Sequence, residues 1–184
     1  MKAIMISIKP KWVAKILNGE KTIEIRKTCP AIFKHLHSYE GASLEVYIYC
    51  TKGNPIGKFG DGLYHEITKD SHWSNGCSWN MPKIYLEGKV VAKFTLNKIR
   101  TSDMTNCLQG SCLSYDEVNE YTKGKKFYGW VIDNLEIFDK PKELSEFRKC
   151  QLLWNCVPHN CQECPALVRL TKAPQSWCYV EELK

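Results

Sequence analysis

Residues 2–27 constrain the fold more than any other stretch, because they predict a strand, a short helix and a second strand in close succession. The isoleucine-rich segment KAIMISI, residues 2–8, has strand character. Pro10 suits the first turn of a helix, and Gly19 is a good stop for one. Between them, apolar residues recur at helical spacing and form one face: Trp12, Val13, Ile16 and Leu17. The charged segment GEKTIEIRK then predicts the second strand.

The rest of the chain holds further strand segments and few helices. Strand character returns in SLEVYIYC (43–50), KVVAKFTLNKI (89–99), KFYGWVIDNLEIF (from 126) and SWCYVEEL (near the end). The third of these is apolar on both faces and predicts a buried strand. SYDEVNEY predicts a short helix capped by Ser114, with Glu117 three residues on. Residues 52–83, rich in glycine, predict an insertion. The pattern favours a single α+β domain, residues 1–184, built as a small mixed β-barrel with a few short flanking helices.

Three charged residues in the second strand segment are the first candidates for a site. Alternation along a strand puts Glu24 and Arg26 on one face and the isoleucines between them on the other. Lys21 is out of phase, and it joins the pair only if the chain is still turning after Gly19 or a bulge re-aims it. A lysine there can serve as a base or nucleophile, and a glutamate can accept a hydrogen bond or act as a general acid or base. An arginine there can donate hydrogen bonds to phosphate or carbonyl oxygens. The alternative is a solvent-facing strand whose ion pair is worth under about 1 kcal/mol.

Lys9 and Lys11 flank the predicted start of the first helix. Cations at that end oppose the helix dipole, whereas an anion is favoured there. Lys9 is therefore a candidate for binding phosphate. The alternative is a pair of solvated lysines whose repulsion from the helix dipole costs about 0.3 kcal/mol.

The segment SIKPKWVAKILNGEKTIEIRK, residues 7–27, resembles the signature region of the ASCH domain, a branch of the PUA-like superfamily. That family's motif, Gly-x-Lys-x-x-Glu-x-Arg, is matched by Gly19, Lys21, Glu24 and Arg26. GWVIDNLEIFDKPKELSEF from 129 and PQSWCYVEEL from 174 also resemble later strands of phage and bacterial members. The likeness covers most of the chain apart from the insertion and a cysteine-rich segment.

This resemblance implies a PUA-like barrel with a cleft that is lined by the motif and binds RNA or a nucleotide-like ligand. Some small relatives are enzymes that deacetylate acetylcytidine, and others are assigned ribonuclease activity. In the amidohydrolase group the motif lysine is catalytic and is partnered by a threonine. Here Lys21 is kept, but Glu24 stands where that threonine would be. An ion pair between them keeps the lysine charged, which favours anion binding over nucleophilic attack.

The segment CQLLWNCVPHNCQEC, residues 150–164, is a candidate metal site. Four cysteines within 15 residues can form a tetrahedral zinc site that is structural, because four protein ligands leave no open position. The candidate ligands are Cys150, Cys156, Cys161 and Cys164, with His159 as a replacement for one of them. Only one pair has the familiar two-residue gap, so a loop of unliganded thiols remains the alternative.

Two aromatic residues extend the candidate site. Tyr128 and Trp130 share a face of the predicted buried strand, where they either stack a base at the barrel mouth or pack in the core. A formal net charge of +6, from 26 basic and 20 acidic residues, weakly favours an anionic partner. No stretch approaches the roughly 18 apolar residues of a membrane span, and the first residues do not form a signal peptide. The sequence therefore predicts a soluble cytoplasmic protein.

Three functions remain open from the sequence. The first is a module that binds RNA or a modified nucleoside through Lys9, Lys21, Glu24 and Arg26. The second is a hydrolase of a nucleoside amide or of RNA, in which Lys21 and Glu24 carry the chemistry. The third is a structural or interaction protein in which the motif braces the fold.

Overall fold

The computed structural model describes residues 3–33, 43–68, 86–101, 104–150 and 167–183. The helices are α1 (Pro10–Leu17), α2 (Met104–Ser111) and α3 (Tyr115–Thr122), with 3-10 turns at Ala31–Phe33 and Leu144–Glu146. The first six strands are β1 (Ala3–Ile8), β2 (Ile23–Arg26), β3 (Leu44–Cys50), β4 (Ile56–Lys58), β5 (Tyr64–Glu66) and β6 (Val90–Leu96). The others are β7 (Ile99–Thr101), β8 (Tyr128–Val131), β9 (Asp133–Lys142), β10 (Phe147–Cys150), β11 (Leu167–Arg169) and β12 (Trp177–Glu182).

The strands form one large sheet and two small ones. The large sheet has seven strands in the order β11-β10-β12-β1-β3-β6-β9, and its neighbours are antiparallel except for the parallel pair β1 and β3. A second sheet has the order β2-β8-β7, and β4 pairs with β5. The fold is thus mixed α+β with a large sheet and few helices, as the sequence predicts. Closure into a barrel stays a prediction.

β1 lies in the middle of the large sheet and is buried on both faces. Ile4, Ile6 and Ile8 contribute to a core that includes the apolar face of α1. Ala3 and Met5 point the other way, into a second core. The alternation of β1 therefore fixes α1 against one face of the sheet and brings the start of α1 beside the end of β1.

The small sheet that carries β2 is covered by the second and third helices. Ile23 and Ile25 pack with residues of both helices in a third core. Gly110 of α2 comes so close that an added Cβ would lie 2.7 Å from Oγ1 of Thr22 and 2.9 Å from Cδ1 of Ile23. The isoleucine face of β2 thus faces α2, which leaves the glutamate and arginine on the opposite face.

The early elements and the last strand of the chain, β12, confirm the sequence predictions. α1 begins with Pro10 at its first turn, and α3 has the predicted capping box of Ser114 and Glu117. The insertion begins with the β4–β5 hairpin, while its residues from 69 onward lie outside the described residues. Patterning did not predict α2, β10 or β11. None of the helices in the described part of the chain has the length and apolar character that crossing a bilayer requires.

The single buried strand predicted from residue 126 is wrong. The segment forms two strands, β8 and β9, separated at Ile132, and they join different sheets. β9 is largely exposed along its length, including Ile137 at 38%. It lies at the end of the large sheet, where a strand has one hydrogen-bonded neighbour among the described residues and less cover than a central strand.

Candidate functional site

The turn that ends α1 positions the first residue of the charged motif. Gly19 has a φ of +74°, the left-handed conformation that favours glycine. The backbone N–H groups of Glu20 and Lys21 both donate to the carbonyl of Lys15, so the chain closes the helix end before it enters β2. Lys21 therefore lies in the turn, outside the alternation of the strand, and reaches the side occupied by Glu24.

Lys21 is only 2% exposed, and its ammonium group is committed to protein acceptors. Nζ donates to the carbonyl oxygens of Ile23 at 2.9 Å and Ser111 at 2.6 Å, and it lies 3.3 Å from Oε2 of Glu24. An ammonium group has three N–H donors; two of them bond to these carbonyls, and the positive charge forms an ion pair with Glu24. Nζ is also 5.3 Å from the centroid of the Trp12 ring, within cation–π range. Lys21 thus holds Glu24 in place and joins β2 to the end of α2.

Glu24 lies between two cations. Its Oε2 faces Lys21, and its Oε1 lies 3.0 Å from Nη2 of Arg26. A carboxylate has about four lone-pair positions, so acceptor capacity remains after these two contacts. The residue is 8% exposed. Its carboxylate is therefore a fixed acceptor with room for a further donor.

Arg26 connects the trio to the large sheet. Its Nη2 donates to the carbonyl of Ser7 at 2.7 Å, and its Nη1 donates to Oγ of Ser176 at 3.4 Å. Within the described ranges, Nε is buried and has no hydrogen-bond partner. A guanidinium has five N–H donors, so donor capacity also remains beside Glu24.

Lys21, Glu24 and Arg26, which we call the charged trio, are each less than a tenth exposed. The alternative of a solvent-facing ion pair is therefore wrong. Burial removes the hydration of three charges, which costs several kcal/mol per ion, and the contacts among the three side chains offset this cost. Removing one partner from such a buried group destabilises a protein by about 3–5 kcal/mol. The predicted pairing of Glu24 with Arg26 on one strand face, with Lys21 turned toward them, is what the structure contains.

The charged trio lines a cleft of about 600 Å³. The end of β1 and the start of α1 form one side, and Lys9 and Trp12 line it. A further part of the wall is α3, which contributes Glu117, Glu120 and Tyr121. Three cationic and three anionic side chains line the cleft, so it offers both donors and acceptors: Lys9, Lys21 and Arg26, and Glu24, Glu117 and Glu120.

The α3 wall was missed as part of the site, although its sequence carries a signal. Val118 and Thr122 form the buried face of the helix. Glu117, Glu120 and Tyr121 follow the spacing of a different face, at i, i+3 and i+4. Sequence periodicity separates these two faces, but it does not show that the polar one borders the motif.

Glu117 presents a carboxylate to the cleft, and hydrogen bonds at the N-terminus of α3 lower the pKa of this carboxylate. The backbone N–H of Ser114 donates to Oε2 at 2.8 Å in the capping box, and this bond lowers the pKa of Glu117 most. The Ser114 hydroxyl and the positive charges of Lys11 and Lys21 lower the pKa further. The carboxylate is thus ionised near neutral pH and lies within the field of the motif lysine.

The remaining predicted ligand-binding residues lie in three different environments. Lys9 is exposed at the start of α1 and lines the cleft. Trp130 and Tyr128 pair with Glu24 and Arg26 across β8, so all four share a face of the small sheet. Trp130 has no exposed surface, and its ring centroid lies 5.8 Å from that of Trp177. Of its two predicted roles, base stacking and core packing, the structure therefore contains core packing. Tyr128 is partly buried against the same core.

The predicted zinc site stays a prediction. Cys150 ends β10, and Cys156, His159, Cys161 and Cys164 lie outside the described residues. Among the residues that the structure does describe, no cluster of three His, Cys, Asp or Glu side chains is arranged to hold a metal ion.

Comparison with solved structures identifies the fold. The crystal structure of ASCH from Zymomonas mobilis matches with a TM-score of 0.54 and 17% identity, over 97% of this chain and 87% of that one. A mutant of the same Zymomonas mobilis protein matches with a TM-score of 0.53 and 16% identity, over 97% of this chain and 88% of that one. No protein-family model matches the sequence, and no curated protein matches it. The chain has the fold of an ASCH domain.

Proposed function

We propose that the protein binds RNA or a modified nucleoside in the cleft above the charged trio. The observation that carries this proposal is the trio itself: three buried charged side chains, Lys21, Glu24 and Arg26, at the base of a cleft of about 600 Å³. That volume lies within the range of small-molecule sites, about 300–1,000 Å³. Glu24 keeps acceptor capacity and Arg26 keeps donor capacity, which together suit the polar edge of a base.

The cations around the cleft support an anionic ligand such as RNA. Lys9 lines the cleft, and Lys27 follows β2 with its Nζ 4.7 Å from the centroid of the Tyr121 ring. Both lysines are exposed, so their charges are available to phosphate groups. The formal net charge of +6 adds long-range attraction. The ASCH-domain fold agrees with the RNA-binding role implied by the PUA-like resemblance.

Binding is favoured over hydrolysis by the state of Lys21. A lysine nucleophile needs a free lone pair, whereas this ammonium group donates to two carbonyls and faces Glu24. Incubation with acetylated cytidine and with short RNAs tests the hydrolase alternative. Product that forms with the wild type and disappears in Lys21→Ala would favour hydrolysis over binding alone.

The experiment for the proposal is isothermal titration of the protein with a short single-stranded RNA, cytidine and acetylcytidine at several salt concentrations. Lys9→Ala weakens RNA binding and reduces the slope of log K against log salt by about 0.7 if one phosphate contact is lost. Lys140→Ala is the matched control, because this lysine is exposed on β9 and does not line the cleft. A wild-type protein that binds none of these ligands at low salt contradicts the proposal and favours the structural alternative.

A further inference from the structure

Tyr121 is an exposed aromatic side chain inside a concave site. It is 40% exposed, and it lines the cleft beside the two carboxylates of α3. Its neighbours Val118 and Thr122 anchor the helix in the protein, so the ring is not needed to hold α3 in place. Lys27 lies near the ring with its Nζ 4.7 Å from the centroid, and the lysine itself is exposed.

The other aromatic side chains near the trio are more buried than Tyr121. Trp12 is partly buried against the core, and two ammonium groups lie near its ring: Lys11 at 4.5 Å and Lys21 at 5.3 Å from the centroid. Trp130 is fully buried. Of the two rings that line the cleft among the described residues, Tyr121 is the more exposed, since Trp12 is partly buried against the core.

The depth of Glu24 limits which ligands reach it. The residue is 8% exposed and lines the cleft, and α3 contributes part of the wall. A base inside a duplex keeps its neighbours stacked above and below and cannot enter such a cleft, so it must first leave the stack. An unpaired base has its polar edge available for Glu24 and its face available for an aromatic ring.

Building on the proposed function, we propose that the cleft takes one unpaired nucleobase, whose face stacks on Tyr121 and whose edge donates to Glu24. Glu117 and Glu120 flank the tyrosine and repel phosphate from the α3 wall. The sugar and phosphate therefore leave the cleft on the side of Lys9. Tyr121 is a specificity-determining residue for unpaired over paired nucleic acid.

A set of tyrosine variants on one helix tests the stacking. Tyr121→Ala weakens binding by roughly 5- to 150-fold, the range expected for loss of one base–aromatic stack. Tyr121→Phe keeps the ring and changes affinity by no more than about twofold. Tyr115→Ala is the matched control, because Tyr115 is 57% exposed on the same helix and does not line the cleft. Circular dichroism and thermal unfolding confirm that each variant is folded.

The choice of ligands distinguishes a free nucleoside, an unpaired base in single-stranded RNA and a paired base in a duplex. Titrations use the four common ribonucleosides, a short single-stranded RNA, and the same RNA annealed to its complement. The proposal expects the single strand to bind and the duplex to bind at least about tenfold more weakly, with the free nucleosides showing whether the base alone suffices. Wild-type binding that is unchanged in Tyr121→Ala overturns the stacking proposal and leaves the proposed function standing. A wild type that binds no ligand overturns both.

Discussion

Two clusters of charged side chains tie strands together in this protein, and they differ in burial. The charged trio lines the cleft, and each of its residues is less than a tenth exposed. The second cluster, which we call the tyrosine network, centres on Tyr47 and joins strands of the large sheet. The hydroxyl group of Tyr47 lies 2.6 Å from Oε1 of Glu45 and 2.7 Å from Oε2 of Glu182. Lys93 pairs with Glu45, and Lys142 pairs with Glu182.

The difference between the clusters separates two uses of charge. In the tyrosine network the Glu45 side chain is 43% exposed and its partner Lys93 28%, so water still stabilises both ions. Such a network clamps neighbouring strands while its ions keep part of their hydration. The charged trio gives up nearly all of its hydration and keeps unused hydrogen-bonding capacity on Glu24 and Arg26. The proposed function gives this costly burial beside the cleft a role that a strand clamp does not need.

The largest expected effect comes from removing the central carboxylate of the trio. Glu24→Ala leaves Lys21 and Arg26 buried without their anion and lowers the free energy of unfolding by about 3–5 kcal/mol. Glu45→Ala removes a partly hydrated carboxylate and lowers it by about 1 kcal/mol. Urea denaturation of both variants measures the difference. Equal losses in the two variants would end the distinction between the clusters.

Two lysines in one short segment, the buried Lys21 and the more exposed Lys15, test the same contrast between buried and hydrated charge. Lys21→Met keeps the apolar stem but leaves the carbonyls of Ile23 and Ser111 without their donor, and we expect a loss of about 2–4 kcal/mol in the free energy of unfolding. Lys15→Met removes an exposed pair with Glu20 and costs under about 1 kcal/mol. A Lys21→Met protein as stable as wild type would show that the ammonium is not needed to hold the trio.

The close approach of α2 to β2 predicts an unfavourable effect at Gly110. Alanine ordinarily stabilises a helix relative to glycine by about 0.5–1 kcal/mol. At Gly110 the added Cβ would press on Thr22 and Ile23 just below the trio, so Gly110→Ala destabilises by about 1–3 kcal/mol. Gln109→Ala, at an exposed neighbour on α2, stays within about 0.5 kcal/mol. Thermal unfolding distinguishes them, and a more stable Gly110→Ala would refute the close packing.

The smallest effect is a pH dependence in the tyrosine network. Burial alone would raise the pKa of Glu182, but the hydrogen bonds from Lys142 and Tyr47 outweigh it and hold the pKa below its ordinary value of 4.5. A carboxyl whose pKa is lowered by folding adds stability above the unfolded pKa, and that stability is lost as pH falls below about 4.5. Glu182→Gln therefore lowers stability at neutral pH by under about 1 kcal/mol, since the group is partly exposed.

The acid range provides the control for this prediction. Wild type and Glu182→Gln should converge in their free energy of unfolding as pH falls below 4.5, because the wild-type carboxyl gains its proton there. Denaturation curves at several pH values measure this convergence. A constant difference between the two proteins across the acid range would show that the carboxylate charge contributes nothing.

Local sequence patterns predicted the elements that carry the trio because those elements are set by short-range rules. Alternation placed Glu24 and Arg26 together, and Gly19 marked the turn that frees Lys21 from that alternation. The carbonyl of Ser111 that accepts from Lys21 lies 90 positions along the chain, and no periodicity reports such a contact. The cleft wall on α3 depends on tertiary packing in the same way.

The two aromatic candidates show the same limit. Alternation places Trp130 and Tyr128 on one strand face, yet packing in the main core and against Trp177 buries Trp130 completely. Tyr121 lies on a helix whose exposed face is mostly polar, and its position at the cleft follows from how α3 packs on the small sheet. The exposure of an aromatic ring depends on packing between distant segments of the chain. The sequence alone therefore does not show which of these rings is exposed to a ligand.

The most direct test of the central claim is a crystal structure of the protein with the tightest-binding ribonucleoside or short single-stranded RNA. We predict a base in the cleft, with its edge within hydrogen-bond distance of the Glu24 carboxylate and the charged trio otherwise unchanged. A ligand bound outside the cleft, with Glu24 still lacking any contact to it, would contradict the account.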